Sequence, residues 1–142
     1  MAKQLSIFVD NKPGRLNAVT DLLSRKKINI FIFTIQDRGD FGLIKMVVDK
    51  PTEAHQALLT KGYAAALKDI IIVSIKDKPG NLHKLATALQ KQKINLLDAR
   101  GTVLSPSKTG LCCLEVSDIA TAEKALKKAG FDLLDVKDIY QF

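Results

Sequence analysis

Two short segments, Asn11–Leu16 and Asp77–Leu82, each carry Pro-Gly directly before a helical pattern of leucines. The glycines, Gly14 and Gly80, let the backbone turn sharply and approach a ligand without a Cβ in the way. The helix that follows presents free N–H groups and the positive end of its dipole. Residues of these types, in this order, suit the binding of a carboxylate.

Polar side chains near these turns could supply the second contact that an amino acid needs. Asn11 or Asp77 could accept a hydrogen bond from an α-ammonium group. Asn29 and Asn95 carry both donors and acceptors, and could bind either group from a neighbouring strand. The structural alternative is that Pro-Gly only makes the turn and that Asn11 or Asp77 only caps the helix. The residues alone leave both interpretations open.

The two segments belong to an internal repeat that spans the chain. A shift of 66 residues places Lys12-Pro13-Gly14 on Lys78-Pro79-Gly80, and Lys27-Ile28-Asn29 on Lys93-Ile94-Asn95. Further along, the shift becomes 68, and the two extra residues fall in the turn-rich stretch Ser105–Thr109. Changes of length are cheap in such a turn.

Each repeat predicts the same order of elements, β-α-β-β-α-β. Apolar alternation and runs rich in Ile and Phe mark the strands, while leucine stripes after Pro-Gly and a proline at position 51 mark helices. The strands are predicted at Gln4–Val9, Asn29–Gln36, Leu43–Val48 and Tyr63–Leu67, then at Ile70–Ile75, Asn95–Leu104, Leu111–Val116 and Phe131–Val136. We therefore predict an α+β fold of two ferredoxin-like modules in tandem, at residues 1–68 and 69–142, each an antiparallel sheet with its helices on one face.

The motifs of both repeats resemble those of ACT domains. In that family a strand leads through x-Pro-Gly-x-Leu into a helix, and an Ile-Asn-Ile segment opens the second strand. The first repeat has Lys12–Leu16 followed by Lys27–Ile30, and the second has the same pattern with Leu96 in the last place. The chain is also similar to stand-alone tandem ACT proteins in carrying Asp40-Phe41-Gly42. The second repeat keeps only Gly110 of this triplet, so a role for the acidic and aromatic pair is confined to the first.

The resemblance implies a non-catalytic regulatory or sensor protein that binds a free amino acid at interfaces between ACT modules. Apolar residues near the motif favour a branched-chain or aromatic ligand. A signal would then pass to a separately encoded enzyme or to a change of assembly, and no cofactor is expected. The candidate ligand-binding residues are Asn11, Lys12, Pro13, Gly14, Arg15, Leu16, Asn29, Ile30, Phe31, Asp40 and Phe41 in the first module, and Asp77, Lys78, Pro79, Gly80, Asn81, Leu82, Asn95 and Leu96 in the second.

The net charge of +7 makes a nucleic acid or an anionic protein partner the alternative function. The location of the charge argues against it. The clusters Arg25-Lys26-Lys27, Lys91 with Lys93, and Lys127-Lys128 each fall at the end of a predicted helix, where cations offset the helix dipole. The basic-Gly-aromatic core of an RRM is absent. Nucleic acid is therefore the weaker hypothesis.

Nothing in the sequence pairs a nucleophile with a base, and no P-loop, Gly-x-Ser-x-Gly or dinucleotide-binding pattern occurs. We therefore expect no enzyme activity. His55 and His83 lie on different predicted helices without carboxylate or thiolate companions, so no metal is expected. Cys112 and Cys113 are neighbours on a strand, so one should enter the core and the other should lie outside it.

The sequence predicts a cytoplasmic protein without a membrane partner. No apolar stretch approaches the roughly 20 residues that span a bilayer. The first residues, Met1–Gln4, have no signal-peptide core and run straight into a predicted strand.

The second strand of the first repeat, Asn29–Gln36, predicts a homodimer. The second and fourth strands of this plan are edges, and exposed edges are usually covered, charged or paired. This strand has apolar residues on both faces, including Phe31 and Phe33, and no Lys, Glu or Pro to discourage pairing. ACT relatives commonly pair edge to edge and bind ligand at the junction. We expect this strand at or near an interface and ligand sites that need two modules, provided that Phe33 does not lie under the helices.

Overall fold

The computed structural model describes residues 1–141, and the chain divides into two compact units. One unit is Lys3–Lys68, the first module. The other contains Met1–Ala2 together with the chain from Asp69 onward, the second module. The Ile70 N–H donates to the carbonyl of Ala2 at 3.0 Å, which ties the first residues to the second module.

The first module is a four-stranded antiparallel sheet with two helices, in the predicted βαββαβ order. Its strands are arranged β2-β3-β1-β4, so that β2 and β4 are the edges, as predicted. The side chains that fill the core come from one face of the sheet and from the inner faces of both helices. The elements are β1 (Lys3–Asp10), α1 (Arg15–Arg25), β2 (Ile30–Asp37), β3 (Phe41–Val48), α2 (Pro51–Thr60) and β4 (Ala64–Asp69).

The second module repeats this plan, with strand order β6-β7-β5-β8. Its last strand is shorter than the predicted Phe131–Val136, because the Asp135 N–H donates to the Asp138 carboxylate at 2.7 Å and turns the chain into a 3₁₀ helix. The elements are β5 (Ile71–Lys76), α3 (Asn81–Lys91), β6 (Leu96–Ser105), β7 (Thr109–Val116), α4 (Ile119–Lys128), β8 (Asp132–Leu134) and the 3₁₀ helix (Val136–Gln141). None of the helices within residues 1–141 combines the length and apolar character needed to cross a membrane.

The two adjacent cysteines are both buried, and in this the sequence prediction is only half right. Cys112 belongs to the helix-side core of the second module. Cys113 points to the opposite face, as strand alternation requires, but it is only 3% exposed, since that face is buried as well, for example at Ile72 and Leu111. Burial raises the pKa of the Cys113 thiol to about 11, which keeps it protonated at neutral pH.

All four helices end in a Schellman motif, in which the residue after the C-cap is left-handed and the next N–H returns to the last turn. In α2 and α4 the left-handed residue is Gly62 or Gly130, each with φ near 90°. In α1 and α3 it is Lys27 or Lys93, with φ of 54° and 55°. The Ile94 N–H donates to the Leu89 carbonyl at 3.1 Å and completes the motif of α3.

Lys93→Gly is expected to stabilise the protein by about 0.5–1 kcal/mol. Glycine adopts the left-handed conformation without the energetic cost that an L residue has there. This gain is partly offset, because glycine loses more backbone entropy on folding. Urea unfolding would measure the difference. Lys91→Gly, in the last turn of α3, is the matched control and should destabilise by about 1 kcal/mol. A loss of stability in both variants would contradict the left-handed assignment.

Candidate functional site

A cleft opens at the N-terminus of α1 in the first module. Its volume is about 220 Å³. One wall is formed by the β1–α1 segment, at residues 10–12 and 14–16 but not at Pro13, and the other is the end of β2 at residues 35–37. The Pro-Gly motif predicted the first wall but not the second. The second wall could have been predicted from the order of the strands, because this order places the ends of β1 and β2 at the same end of the sheet.

The start of α1 is uncapped. Gly14 is the N-cap residue with φ 86°, and none of the described side chains caps the helix. The first helical hydrogen bond runs from the Ala18 N–H to the Gly14 carbonyl at 3.0 Å. The N–H groups of residues 15–17, in the first turn of the helix, therefore have no acceptor within the helix and can bind another one. A Cβ at Gly14 would meet no atom within 4 Å. The space beside Gly14 is therefore open, and Gly14, Arg15 and Leu16 line the cleft, so a carboxylate bound here could accept from the free N–H groups of the helix.

Asn11 stabilises the β2–β3 turn and does not cap α1, so the capping alternative is wrong. Its amide N–H groups donate to the Asp37 carboxylate at 3.0 Å and to the Gly39 carbonyl at 3.1 Å. The Gly39 N–H donates to the same carboxylate at 2.8 Å. With both amide N–H groups directed into the turn, the orientation of the Asn11 amide is fixed. Asn11 lines the cleft, and its amide oxygen is left as an acceptor for an ammonium group.

Arg15 brings a partly satisfied guanidinium to the same cleft. Its Nη2 lies 2.9 Å from the Asp10 carboxylate, and its side chain is 39% exposed. Its Nε is shielded from water and donates to none of the described residues. An unsatisfied donor of this kind costs about 1–3 kcal/mol. An acceptor brought by a ligand or by another chain would therefore be favoured here.

The corresponding turn of the second module is organised differently. The Asp77 carboxylate accepts from the Ser107 N–H at 2.7 Å, so Asp77 stabilises the β6–β7 turn and does not cap α3. The Asn81 amide donates to the Lys76 carbonyl at 2.9 Å. A cleft of about 560 Å³ opens here towards β8 and includes Phe131, whereas the first-module cleft opens towards β2. The two modules therefore present different sites from the same sequence motif.

The asparagines of the Ile-Asn segments lie at the opposite end of each module. The Asn29 N–H donates to the Asp49 carboxylate at 2.9 Å, and the Asn95 N–H donates to the Ser117 hydroxyl at 3.0 Å. Asn29 and Ile30 line a separate shallow pocket beside the C-terminal end of α1. Because β2 begins where α1 ends, one module does not bring Asn29 to its own Asn11.

Lys78 lines the second-module cleft, whereas five other candidates lie outside both clefts: Phe31, Asp40, Phe41, Leu82 and Leu96. Phe41 is 41% exposed and packs against Phe8, with the ring centroids 6.0 Å apart, and Asp40 is exposed in the turn before it. Leu82 is 64% exposed, whereas its counterpart Leu16 packs against the core. Phe31 is half-buried on β2, and Leu96 is 45% exposed at the start of β6.

Within residues 1–141, no cluster of His, Cys, Asp and Glu side chains has the geometry to hold a metal ion. His55 is half-buried on α2, with Nε2 3.1 Å from the Ala65 carbonyl, and His83 is exposed on α3. The clusters that end α1, α3 and α4 include Arg25, Lys91 and Lys127-Lys128 in the last helical turns, where the sequence placed them.

The strand order and the two helices of each sheet define a tandem pair of ferredoxin-like modules. The model of the ACT domain pair family matches residues 1–104. The chain therefore belongs to the ACT domain pair family, and the resemblance inferred from the Pro-Gly and Ile-Asn motifs is confirmed. No curated protein matches the chain significantly.

Solved structures share the fold over nearly the whole chain. A protein from Bacteroides thetaiotaomicron is 30% identical, with a TM-score of 0.90, and the alignment covers 99% of this chain and 96% of that one. The regulatory subunit of aspartate kinase from Thermus thermophilus is 20% identical, with coverage of 91% and 93% and a TM-score of 0.67. The Thermus flavus subunit is 19% identical, with coverage of 89% and 91% and a TM-score of 0.64.

Proposed function

We propose that this protein is a non-catalytic sensor that binds a free amino acid in the first-module cleft. The observation that carries the proposal is the uncapped start of α1 at Gly14, which opens beside the fixed amide oxygen of Asn11. A helix N-terminus suits an α-carboxylate and an amide oxygen suits an α-ammonium group. Arg15 lies in the same cleft, and its Nε is a donor without a partner among the described residues.

The binding site is completed by a second copy of the chain. The cleft is open along β2, where Phe33 and Ile35 are 56% and 50% exposed. In an antiparallel pair, the start of one strand lies beside the end of the other. Pairing of two β2 strands would therefore bring Asn29 of a second copy towards the Asp37 end of the first. In this arrangement, Asn29 of the second copy could contact the ligand, which Asn29 of the same module cannot reach.

The apolar residues of the cleft favour a branched-chain or aromatic ligand. Val9, Leu16, Ile35 and Ile44 lie on its walls and floor. The ACT pair has no catalytic motif, so the signal of binding would pass to a separate protein. The Thermus chains of the same fold are regulatory subunits of aspartate kinase, which supports a separately encoded enzyme as the target.

An isothermal titration screen of the common amino acids, one at a time, tests the proposal. We expect saturable heat for a branched-chain or aromatic amino acid and none for Asp or Lys at the same concentration. One site per chain is expected, because the second module has Asp77 in place of Asn11 and a cleft lined by different residues. Absence of binding by every amino acid at millimolar concentration would remove the proposal.

A further inference from the structure

The cleft of the second module is lined by four lysines. Lys76, Lys78, Lys84 and Lys108 line it, against the two carboxylates of Asp77 and Asp132. None of these lysines forms an ion pair with the described residues. The cleft therefore concentrates positive charge that the protein itself does not neutralise.

Most of this charge is absent from the other repeat. The shifts of 66 and 68 residues place Lys76 on Asp10, Lys84 on Ala18 and Lys108 on Asp40. Only Lys78 has a lysine counterpart, Lys12. The fold and the motif are the same in both modules, so neither requires the other three lysines.

Helix electrostatics do not explain Lys84 either. It lies in the first turn of α3, where the helix dipole presents positive charge and a cation is disfavoured. This location differs from that of the basic clusters at the C-terminal ends of the helices. A lysine at this end of the helix adds to the positive field of the backbone, as an anion-binding site requires.

The shape of the cleft is set by contacts that leave the lysine ammonium groups accessible. The Ser107 N–H donates to the Asp77 carboxylate at 2.7 Å, and the Asp77 N–H donates to the Lys108 carbonyl at 3.1 Å, so the loop that carries Lys108 is held in place. The Lys84 Nζ lies 5.3 Å from the centroid of the Phe131 ring. The ring thus restrains one cation and offers an apolar surface beside it.

We propose that the second-module cleft binds a small phosphate-bearing metabolite, through Lys84, Lys108 and the start of α3. Lysine binds phosphate as a compact point charge, and the excess of two lysines over carboxylates in the cleft matches a phosphate dianion. The Phe131 ring would contact the organic part of the ligand. This site is separate from the proposed amino-acid site in module, lining residues and ligand charge.

Calorimetric titration with pyrophosphate, on the full chain at low salt, tests the proposal. We expect one site per chain. Lys84→Ala and Lys108→Asp restore the residue types of the first module. Each should weaken binding about tenfold or more, because each removes one charge-assisted hydrogen bond and the aspartate also repels the anion. Lys127→Ala removes a lysine outside the cleft and should leave the affinity within about twofold, since a distant exposed charge is largely screened.

Two results would overturn the proposal. One is equal weakening by Lys127→Ala and Lys84→Ala, which would show a response to net charge alone. The other is binding of a single-stranded RNA oligomer with steep salt dependence and no binding of pyrophosphate. Titration of a Gly14→Val chain with pyrophosphate separates this site from the first-module cleft, because we expect its phosphate affinity to be unchanged whether or not amino-acid binding is observed.

Discussion

Gly14→Val is expected to weaken amino-acid binding in the first-module cleft about 100-fold or more, equivalent to about 2.7 kcal/mol. The valine side chain would occupy open space beside Gly14 in the lining of the cleft, close to where the carboxylate is proposed to bind. Its branched Cβ also resists the φ of 86° at this position. Calorimetry with the amino acid identified in the screen measures the loss, and circular dichroism confirms the fold.

Gly62→Val is the matched control for the backbone strain. Gly62 has the same φ of 86°, and a Cβ at this position would likewise meet no atom within 4 Å, but it lies after α2, away from the cleft residues. We expect a similar loss of stability and unchanged ligand affinity. If Gly14→Val fails to fold, Gly14→Ala introduces less strain and should still weaken binding about tenfold. A folded Gly14 variant with wild-type affinity would refute the helix-terminus carboxylate site.

Phe33→Lys is expected to convert the proposed homodimer to a monomer at tens of micromolar protein. Phe33 lies opposite Met46, and Ile35 lies opposite Ile44, so both side chains are on the helix-covered face of the sheet. They nevertheless remain 56% and 50% exposed, because β2 is the edge strand. A lysine there leaves the module folded but places an unpaired charge in the interface, which costs several kcal/mol. Sedimentation equilibrium measures the change.

Leu59→Lys is the control for a general effect of charge on the surface of the first module. Leu59 is 45% exposed on α2, away from the β2 edge. The dimer should survive this change, and amino-acid binding should survive with it. Phe33→Lys, in contrast, should weaken both dimerisation and amino-acid binding, because a monomer lacks Asn29 from the second copy. A wild-type chain that sediments as a monomer with and without ligand would show that β2 needs no partner.

The order of the elements was predictable because local signals and the repeat agree. Pro-Gly marks the start of α1 and α3, and Gly62 and Gly130 mark the ends of α2 and α4. The same signals in both halves predicted the edge strands correctly. The early end of β8 was not predictable, because apolar residues continue to Val136. The turn depends on a hydrogen bond between Asp135 and Asp138, which hydrophobic periodicity does not encode.

The candidate site was less predictable, because it depends on which segments the fold brings together. Asn11 and Asp77 occupy equivalent positions, yet Asn11 binds the β2–β3 turn by donating hydrogen bonds and Asp77 binds the β6–β7 turn by accepting one. Lys84 and Phe131 are 47 positions apart in the sequence and meet only because α3 begins where β8 begins. The residue types within one motif therefore predict neither the turn contacts of Asn11 and Asp77 nor the contact between Lys84 and Phe131.

The hydrogen bond from Ile70 to Ala2 makes the first module an insertion within the second. Ala2 is 2% exposed and belongs to the unit that resumes at Asp69. During synthesis, these first residues leave the ribosome long before the rest of the unit to which they belong, while Lys3–Lys68 can complete its own sheet at once. Expression of residues 69–142 alone would therefore produce the second module without Met1 and Ala2. A circularly permuted chain, in which a spacer joins these two residues to the end of the second module, would supply them.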